Sequence, residues 1–183
     1  MSNDLRPAAV SGTFYPDNAA ILERVIVQML GKVTQNAAPH PKAIIAPHAG
    51  YIYSGAIAAS IYAPLAAMRN SIQRIVLLGP THRVAVNGLA LPASKAFATP
   101  LGNVPVDQQA IAAIRDLPQV IFSEAAHAEE HSLEVQLPFL QTVFGEFSLL
   151  PLAVGQVSPE KVAEVLERLW GGQETLIVIS SDL

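Results

Sequence analysis

The sequence contains no cysteine among its 183 residues, so it offers neither a disulfide nor a thiolate metal ligand. Charge is also sparse, because only 14% of the residues are Asp, Glu, Lys or Arg and the 11 Lys and Arg residues are scattered within a net charge of −4. A chain without a basic stripe cannot neutralise a run of phosphates. We therefore expect no nucleic-acid partner.

Signals for export, membrane insertion and two common enzyme classes are missing as well. The N-terminus has no basic segment followed by an apolar one. The uncharged stretch at residues 43–68 is interrupted by Pro47, Gly50 and Gly55, which suits strand, loop and helix rather than a membrane span. No G-x-G-x-x-G, P-loop or G-x-S-x-G motif occurs. These absences predict a cytoplasmic protein without a membrane partner, and they give nucleotide-binding and serine-hydrolase functions no support.

The chain is rich in apolar residues, at 51%, and they fall in alternating strand-like and helix-like segments. This alternation predicts one α/β domain over residues 1–183, a three-layer sandwich with a mostly parallel central sheet flanked by helices. The predicted strands cover residues 43–47, 74–78, 88–92, 104–106, 120–122, 149–154 and 176–179. The predicted helices cover residues 18–31, 54–65, 107–114, 133–144 and 158–169.

Local signals set the expected ends of these elements. Asp17, Ser54 and Ser158 are expected to cap helices, and Pro64 to kink or break the second one. Residues 93–103 are expected to form a loop. Residues 35–41 are expected to form a linker.

Three of the apolar runs end on residues that can hold a metal or move a proton. His48 follows the run at residues 43–46, His82 follows residues 75–78, and Asp182 follows residues 176–179. Parallel sheets place their active groups just beyond the carboxyl ends of the strands. The pattern therefore predicts two imidazoles and a carboxylate on one edge of one sheet.

Neutral imidazoles suit Fe, Zn, Cu and Ni, and two His with one carboxylate is the ligand set of non-haem Fe(II) enzymes that activate dioxygen. Asp182 has two interpretations from its residue type alone. It is either that carboxylate ligand, or an N-cap or an acceptor that orients a histidine ring through its N–H group. The sequence leaves both interpretations open.

Other polar residues form a second tier of candidates. His131 follows two glutamates and either takes part in the site or lies at a helix N-terminus where the acids complement the dipole. Tyr51 and Tyr53 either line a pocket or pack on the sheet. Arg83 either holds an anionic ligand or faces solvent. Two further histidines are expected at solvated positions, namely His40 and His127.

Five short motifs resemble those of the Memo-like family, of the type called AmmeMemoRadiSam system protein B, and their order and spacing match too. They are SGTFYP (residues 11–16), APHAGY (46–51), LGPTH (78–82), EHSLEVQLP (130–138) and ISSDL (179–183). The family is similar in fold to the class III extradiol dioxygenases, so the resemblance implies that α/β fold. It also implies a divalent metal, with Fe expected first and Cu or Zn as alternatives.

The resemblance implies roles for individual residues. His48 and His82 correspond to metal ligands, Asp182 to an acid or orienting group, and His131 to a residue that lines the pocket. In the family a histidine closely follows the Ser-Ser-Asp motif and a cysteine further along is the third ligand, and both would lie beyond Leu183. We therefore expect a C-terminal part to be missing and metal binding to be weakened in this chain. We also expect the apolar surface exposed by that loss to favour a homo-oligomer.

Two functions follow from the resemblance. The first is a metal-dependent oxidoreductase, with Fe or Cu, that acts on a small substrate. The alternative is a non-catalytic binding module that uses the same cleft for a peptide or an anionic ligand. The resemblance also implies a radical-SAM protein and an AMMECR-type protein as partners.

Overall fold

The middle of the fold is a six-stranded mixed sheet, seen in a computed structural model that describes residues 4–34 and 40–182. In spatial order the sheet is β2-β9-β3-β8-β4-β7. Its strands are β2 (Ala43–Ala46), β3 (Arg74–Pro80), β4 (Leu89–Leu91), β7 (Val120–Phe122), β8 (Ser148–Val154) and β9 (Thr175–Ser180). All neighbours are parallel except β4 and β8, which are antiparallel.

Strands β3 and β8 are buried from end to end apart from their terminal residues. Continuous apolar runs are the pattern of strands that are covered on both faces. A smaller three-stranded sheet contains, in spatial order, β1 (Leu5–Arg6), β5 (Ala96–Thr99) and β6 (Gly102–Pro105), and β6 contacts β8 of the large sheet.

Within residues 4–34 and 40–182, six α-helices connect these strands. They are α1 (Ala19–Gly31), α2 (Tyr51–Tyr62), α3 (Gln108–Ile114), α4 (Glu124–Ala128), α5 (Leu137–Phe144) and α6 (Pro159–Leu169). Helices α1, α2 and α5 contact one another, and α3 contacts α6. These two helix groups and the mixed sheet make an α/β fold, consistent with the expected three-layer sandwich.

Two details of the expected helix starts are wrong. Asn18, not Asp17, caps α1, because its side chain accepts a hydrogen bond from the Ile21 N–H at 3.1 Å. Helix α2 begins at Tyr51 rather than at Ser54, whose hydroxyl instead donates to the Ala49 carbonyl from within the first turn. The residue at the N-cap position of α2 is Gly50, which has no side chain to accept a capping hydrogen bond.

The prediction for Pro64 is confirmed, since α2 ends at Tyr62 and a 3₁₀ helix, Ala63–Met68, contains that proline near its start. The loop expected at residues 93–103 is wrong, because β5 and the start of β6 pair there as an antiparallel hairpin. The predicted linker at residues 35–41 lies mostly outside the described residues.

The helical run Tyr51–Met68 is long and apolar enough to cross a membrane by length and composition alone. Half of it is buried inside the protein, where α2 packs on α1, α5 and β2. Burial of that kind is what a core helix shows. Packing on neighbouring helices and the sheet therefore accounts for the buried half of the run, while Ile52, Tyr53 and Ile57 on its other side are exposed.

Candidate metal centre at the carboxyl edge of the sheet

Three neighbouring strands deliver the candidate residues to one edge of the sheet. His48 lies two residues beyond β2, Asp182 two beyond β9 and His82 two beyond β3. Because β9 pairs in parallel with both β2 and β3, all three strand ends point the same way. The expected shared edge is therefore present in the fold.

A third imidazole joins the two from the strand ends. The centroid of the His82 ring lies 5.2 Å from that of His48 and 4.6 Å from that of His131, and the His48 and His131 rings are 5.7 Å apart. One candidate ligand atom from each residue lies within 4.8 Å of the other two. We call these residues the histidine cluster. His131 arrives from the turn before a 3₁₀ helix, Glu134–Gln136, and not from a strand end.

The carboxylate of Glu130 holds His82 at two points. It accepts hydrogen bonds from the ring Nδ1 at 2.8 Å and from the backbone N–H at 2.6 Å. It also accepts from the Ser132 N–H at 2.9 Å, and one oxygen lies 3.6 Å from Nδ1 of His131. Glu130 is only 2% exposed. A buried carboxylate orients a metal-binding histidine when it accepts a hydrogen bond from the ring nitrogen that does not bind the metal.

His48 is held by residues at the end of β9. Its ring Nδ1 lies 3.0 Å from the Ser180 hydroxyl, and its backbone N–H donates to the Asp182 carboxylate at 2.7 Å. The second Asp182 oxygen lies 3.6 Å from Nε2 of His48, and the Asp182 side chain is 48% exposed. Asp182 therefore contacts His48 at the rim of the site. This position is compatible with both predicted roles, a metal ligand and an acceptor that orients His48.

The environment keeps two of the rings neutral. Burial lowers the pKa of His48 and of His131 below the ordinary histidine value, and the neighbouring imidazoles lower both further, against the carboxylates of Asp182 and Glu130. Burial alone would raise the pKa of Glu130, but hydrogen bonds from His82 and Ser132 hold it below its ordinary value. An unprotonated imidazole beside an ionised carboxylate is the state that binds a metal.

Solvent reaches the histidine cluster mainly through His82. His48 is buried at 5% exposure, whereas the His82 side chain is 37% exposed and that of His131 is 19% exposed. Phe14 packs on His131 with the ring centroids 4.8 Å apart, forming a wall. Arg83 is exposed and forms no ion pair with any residue in the described ranges.

The donor set fits a transition metal, with one adjustment. Two nitrogens that each lie about 2.0–2.1 Å from one ion can be at most about 4 Å apart, whereas the cluster spans up to 4.8 Å. Binding would therefore draw the rings slightly inward. Three imidazoles without a thiolate suit Fe, Zn, Cu or Ni.

The other predicted residues lie elsewhere. His40 is exposed, as expected. The expectation for His127 is wrong, because its side chain is buried at 0% exposure and its Nε2 lies 2.9 Å from the Ala90 carbonyl. Tyr51 is buried and donates its hydroxyl proton to the Val135 carbonyl, so it packs in the core, while Tyr53 is 79% exposed.

Sequence reasoning missed the supporting residues. Glu130 and Gln136 lie in the motif EHSLEVQLP and Ser180 lies in ISSDL. Neither the motifs nor the residue types show that these side chains contact a histidine. A surface cavity of about 850 Å³ between α1, β6 and α5 contains none of the predicted site residues.

Comparison with known proteins agrees with the motif pattern. The family model described as Memo-like protein matches residues 6–183. A MEMO1 family protein of Ignicoccus hospitalis is 36% identical, covering 98% of this chain and 68% of that protein. Relatives with the same description occur in Aquifex aeolicus, at 39% identity over 98% of this chain and 67% of the relative, and in Thermotoga neapolitana, at 34% over 98% and 70%.

Proposed function

Because this chain belongs to the Memo-like family and its fold gathers three imidazoles, we propose that the histidine cluster binds one divalent metal ion and serves a metal-dependent oxidoreductase. The observation that carries the proposal is the cluster itself, in which one candidate ligand atom from each of three histidines lies within 4.8 Å of the others. His131, which the family resemblance assigned to the wall of the pocket, supplies the third donor of the proposed site. The site thus has three protein donors within the described residues.

Iron is the metal we propose first, with Cu or Zn as alternatives. Three neutral nitrogens bind all of these ions and leave coordination positions open. When bound, such a metal supplies Lewis acidity, and Fe or Cu also supplies an electron. The residues around the cluster determine which substrate can reach the bound ion.

His82 and Phe14 shape the access to the proposed site, and Asp182 can transfer a proton. The exposed side of His82 admits a small substrate, and Phe14 closes the cleft against His131. Asp182 is placed to accept or release a proton at the oxygen that lies 3.6 Å from His48 Nε2. Aspartate is one of the side chain types that serve as a general acid or base when they lie within hydrogen-bond reach of the reacting group.

Metal content tests the binding step. The chain is purified without chelator and analysed for Fe, Cu and Zn beside the variants His48→Ala, His82→Ala and His131→Ala. His40→Ala is the matched control, because it removes an exposed histidine outside the cluster. We expect stoichiometric metal in the wild type and in the control, and strong loss in the three cluster variants. Equal metal content in all five proteins would overturn the proposal.

Oxygen consumption tests the oxidoreductase step. The Fe-loaded chain is given catechol-type and other small oxygen-bearing compounds in an oxygen electrode, with the His131→Ala variant as the comparison. Uptake that requires both metal and His131 supports catalysis. A metal-loaded protein that consumes no oxygen with any of these compounds would count against it.

One observation favours the binding module as a second candidate. Arg83 is exposed, follows His82 directly and forms no ion pair within the described part of the chain, so its guanidinium is available to an anionic ligand. Calorimetry with acidic and phosphorylated peptides, using Arg83→Gln as the variant, tests this function. Binding that weakens in the variant, without any turnover, would favour it, and unchanged affinity would exclude Arg83 from the ligand contact.

A further inference from the structure

A buried chain of polar side chains runs from the core to His48. The Tyr62 hydroxyl donates to Gln136 Oε1 at 2.7 Å, and Gln136 Nε2 lies 2.9 Å from the Ser180 hydroxyl oxygen. The Ser180 oxygen in turn lies 3.0 Å from His48 Nδ1. Tyr62, Gln136 and Ser180 are each 2% exposed or less. Because water does not reach these groups, each proton in the chain has to be assigned to a protein partner.

The orientation of the Gln136 amide follows from its neighbours. Its Nε2 lies 2.9 Å from the Pro47 carbonyl oxygen, which can only accept a hydrogen bond. A reversed amide would place two acceptors against each other there. The amide therefore donates one proton to Pro47 and the other to Ser180.

The proton of Ser180 is also assigned. Its hydroxyl lies 2.6 Å from the Ser132 carbonyl oxygen, another group that can only accept. A hydroxyl has one proton and two lone pairs. With its proton on Ser132 and one lone pair used by Gln136, Ser180 can only accept from His48.

We propose that Ser180 and Gln136 are positioning residues that keep the proton of the neutral His48 ring on Nδ1, so that Nε2 is the atom that binds metal. The purpose of this arrangement rests on the proposed metal site, but the tautomer is a property of the metal-free protein. Asp182 acts in the opposite direction, since its oxygen near Nε2 would favour a proton on that nitrogen. That oxygen is 3.6 Å away on a half-exposed side chain, so the buried network dominates.

The ring tautomer is measured directly by long-range ¹H–¹⁵N correlation spectra of the metal-free chain labelled at histidine nitrogen. Spectra are recorded well above the ordinary histidine pKa of about 6.5, and the His48 signals are assigned by their loss in His48→Gln. We expect wild-type His48 to carry its proton on Nδ1. In Ser180→Ala we expect a shift of population towards the Nε2-protonated form, because Nδ1 loses its acceptor.

Ser94→Ala is the matched control, since it removes an equally buried serine hydroxyl, at 1% exposure, that lies outside this network. It should leave the His48 tautomer unchanged. Gln136→Met gives a second route should Ser180→Ala fail to fold, with a smaller shift expected because the serine remains. Wild-type His48 protonated on Nε2, or a tautomer unaffected by Ser180→Ala and Gln136→Met, would overturn the proposal.

Metal affinity supplies an independent readout. Competition with a chromophoric chelator for Zn²⁺ should show binding about 10-fold weaker in Ser180→Ala than in Ser94→Ala, in line with the usual effect of residues that orient a ligand ring. If no variant or wild-type chain binds Zn²⁺, the proposed metal site fails while the tautomer result still stands. If Zn²⁺ binds equally in both variants, the positioning role fails while the metal site stands.

Discussion

Glu130 and Glu134 lie four residues apart in one buried segment, yet they support different parts of the molecule. Glu134 forms an ion pair with Arg6 and accepts hydrogen bonds from the Tyr15 hydroxyl and from the backbone N–H groups of Ala9 and Val10. Both partners of the ion pair are fully buried. Glu134 thus ties the N-terminal segment to the core.

Glu130 has the same burial and a different kind of partner. Its side chain contacts the ring and backbone of His82, and its carbonyl accepts from Arg6 at 2.7 Å. An arginine is always charged, whereas a histidine can be neutral and bind a metal. The comparison teaches that burial of a carboxylate does not define its role, and that the chemistry of its partner does.

The largest expected effect separates the stability role of Glu134. Glu134→Ala leaves the buried Arg6 guanidinium and three further donors without their acceptor, which should lower the free energy of unfolding by about 3–5 kcal/mol. Chemical denaturation of the wild type and the variant measures this. A loss below about 1 kcal/mol, the size of a surface ion pair, would contradict the structural role of Glu134.

The second largest effect concerns the pH dependence of stability and arises at His127. This residue neighbours the Arg6–Glu134 ion pair, because its backbone carbonyl accepts a hydrogen bond from Arg6. Burial lowers the pKa of His127 from 6.5 to about 4. The unfolded chain therefore binds a proton at His127 below pH 6.5, whereas the folded chain does so only below about pH 4. The free energy of unfolding should fall as the pH drops through this window, and His127 should account for roughly 2–4 kcal/mol of that loss.

The variant His127→Gln isolates that contribution from those of His48 and His131. Its unfolding free energy, measured at several pH values between 6.5 and 4, should depend less steeply on pH than that of the wild type. Parallel curves for the two proteins would show that His127 is not held neutral by the fold.

A smaller effect separates the role of Glu130. Glu130→Gln keeps an acceptor for His82 but removes the charge, so the protein should fold while metal affinity falls about 10- to 100-fold. Glu134→Gln is the matched variant and should reduce stability more than metal affinity. Chelator competition and denaturation, applied to both variants, measure the two quantities. Equal loss of metal affinity in the two variants would remove the distinction between the glutamates.

The smallest effect is expected at the rim. Asp182→Asn keeps an acceptor for the His48 N–H, and the side chain is 48% exposed, so solvent screens the lost charge. Metal affinity should change by less than about 10-fold, the lower limit expected for a residue that orients a ligand. A larger loss, measured by the same competition, would make Asp182 a ligand or a principal orienting group.

Much of the fold could be predicted because buried parallel strands have a strong local pattern. The runs that became β3, β8 and β9 are uninterrupted and apolar, and their shared direction follows from the alternation with helices. That direction alone brings His48, His82 and Asp182 to one edge. Strand β5 was missed because it is four residues long and carries no alternating pattern, whereas the end of β6 lies within the strand predicted at residues 104–106.

The supporting residues of the site could not be predicted, because their contacts join distant parts of the chain. Ser180 meets Gln136 and His48 across separations of 44 and 132 residues, and no local pattern encodes such contacts. His127 and His131 look alike in sequence, yet one is a core residue and the other joins the cluster. The partner proteins, the cytoplasmic location, the oligomeric state and a missing C-terminal part stay predictions.

Anomalous diffraction from crystals of the metal-loaded chain, collected on both sides of the absorption edge of the bound metal, locates the ion. We expect one strong peak between the rings of His48, His82 and His131, and its loss in crystals of His131→Ala. A stoichiometrically loaded protein whose peak lies away from these rings, or keeps its place and height without His131, would contradict the proposed site.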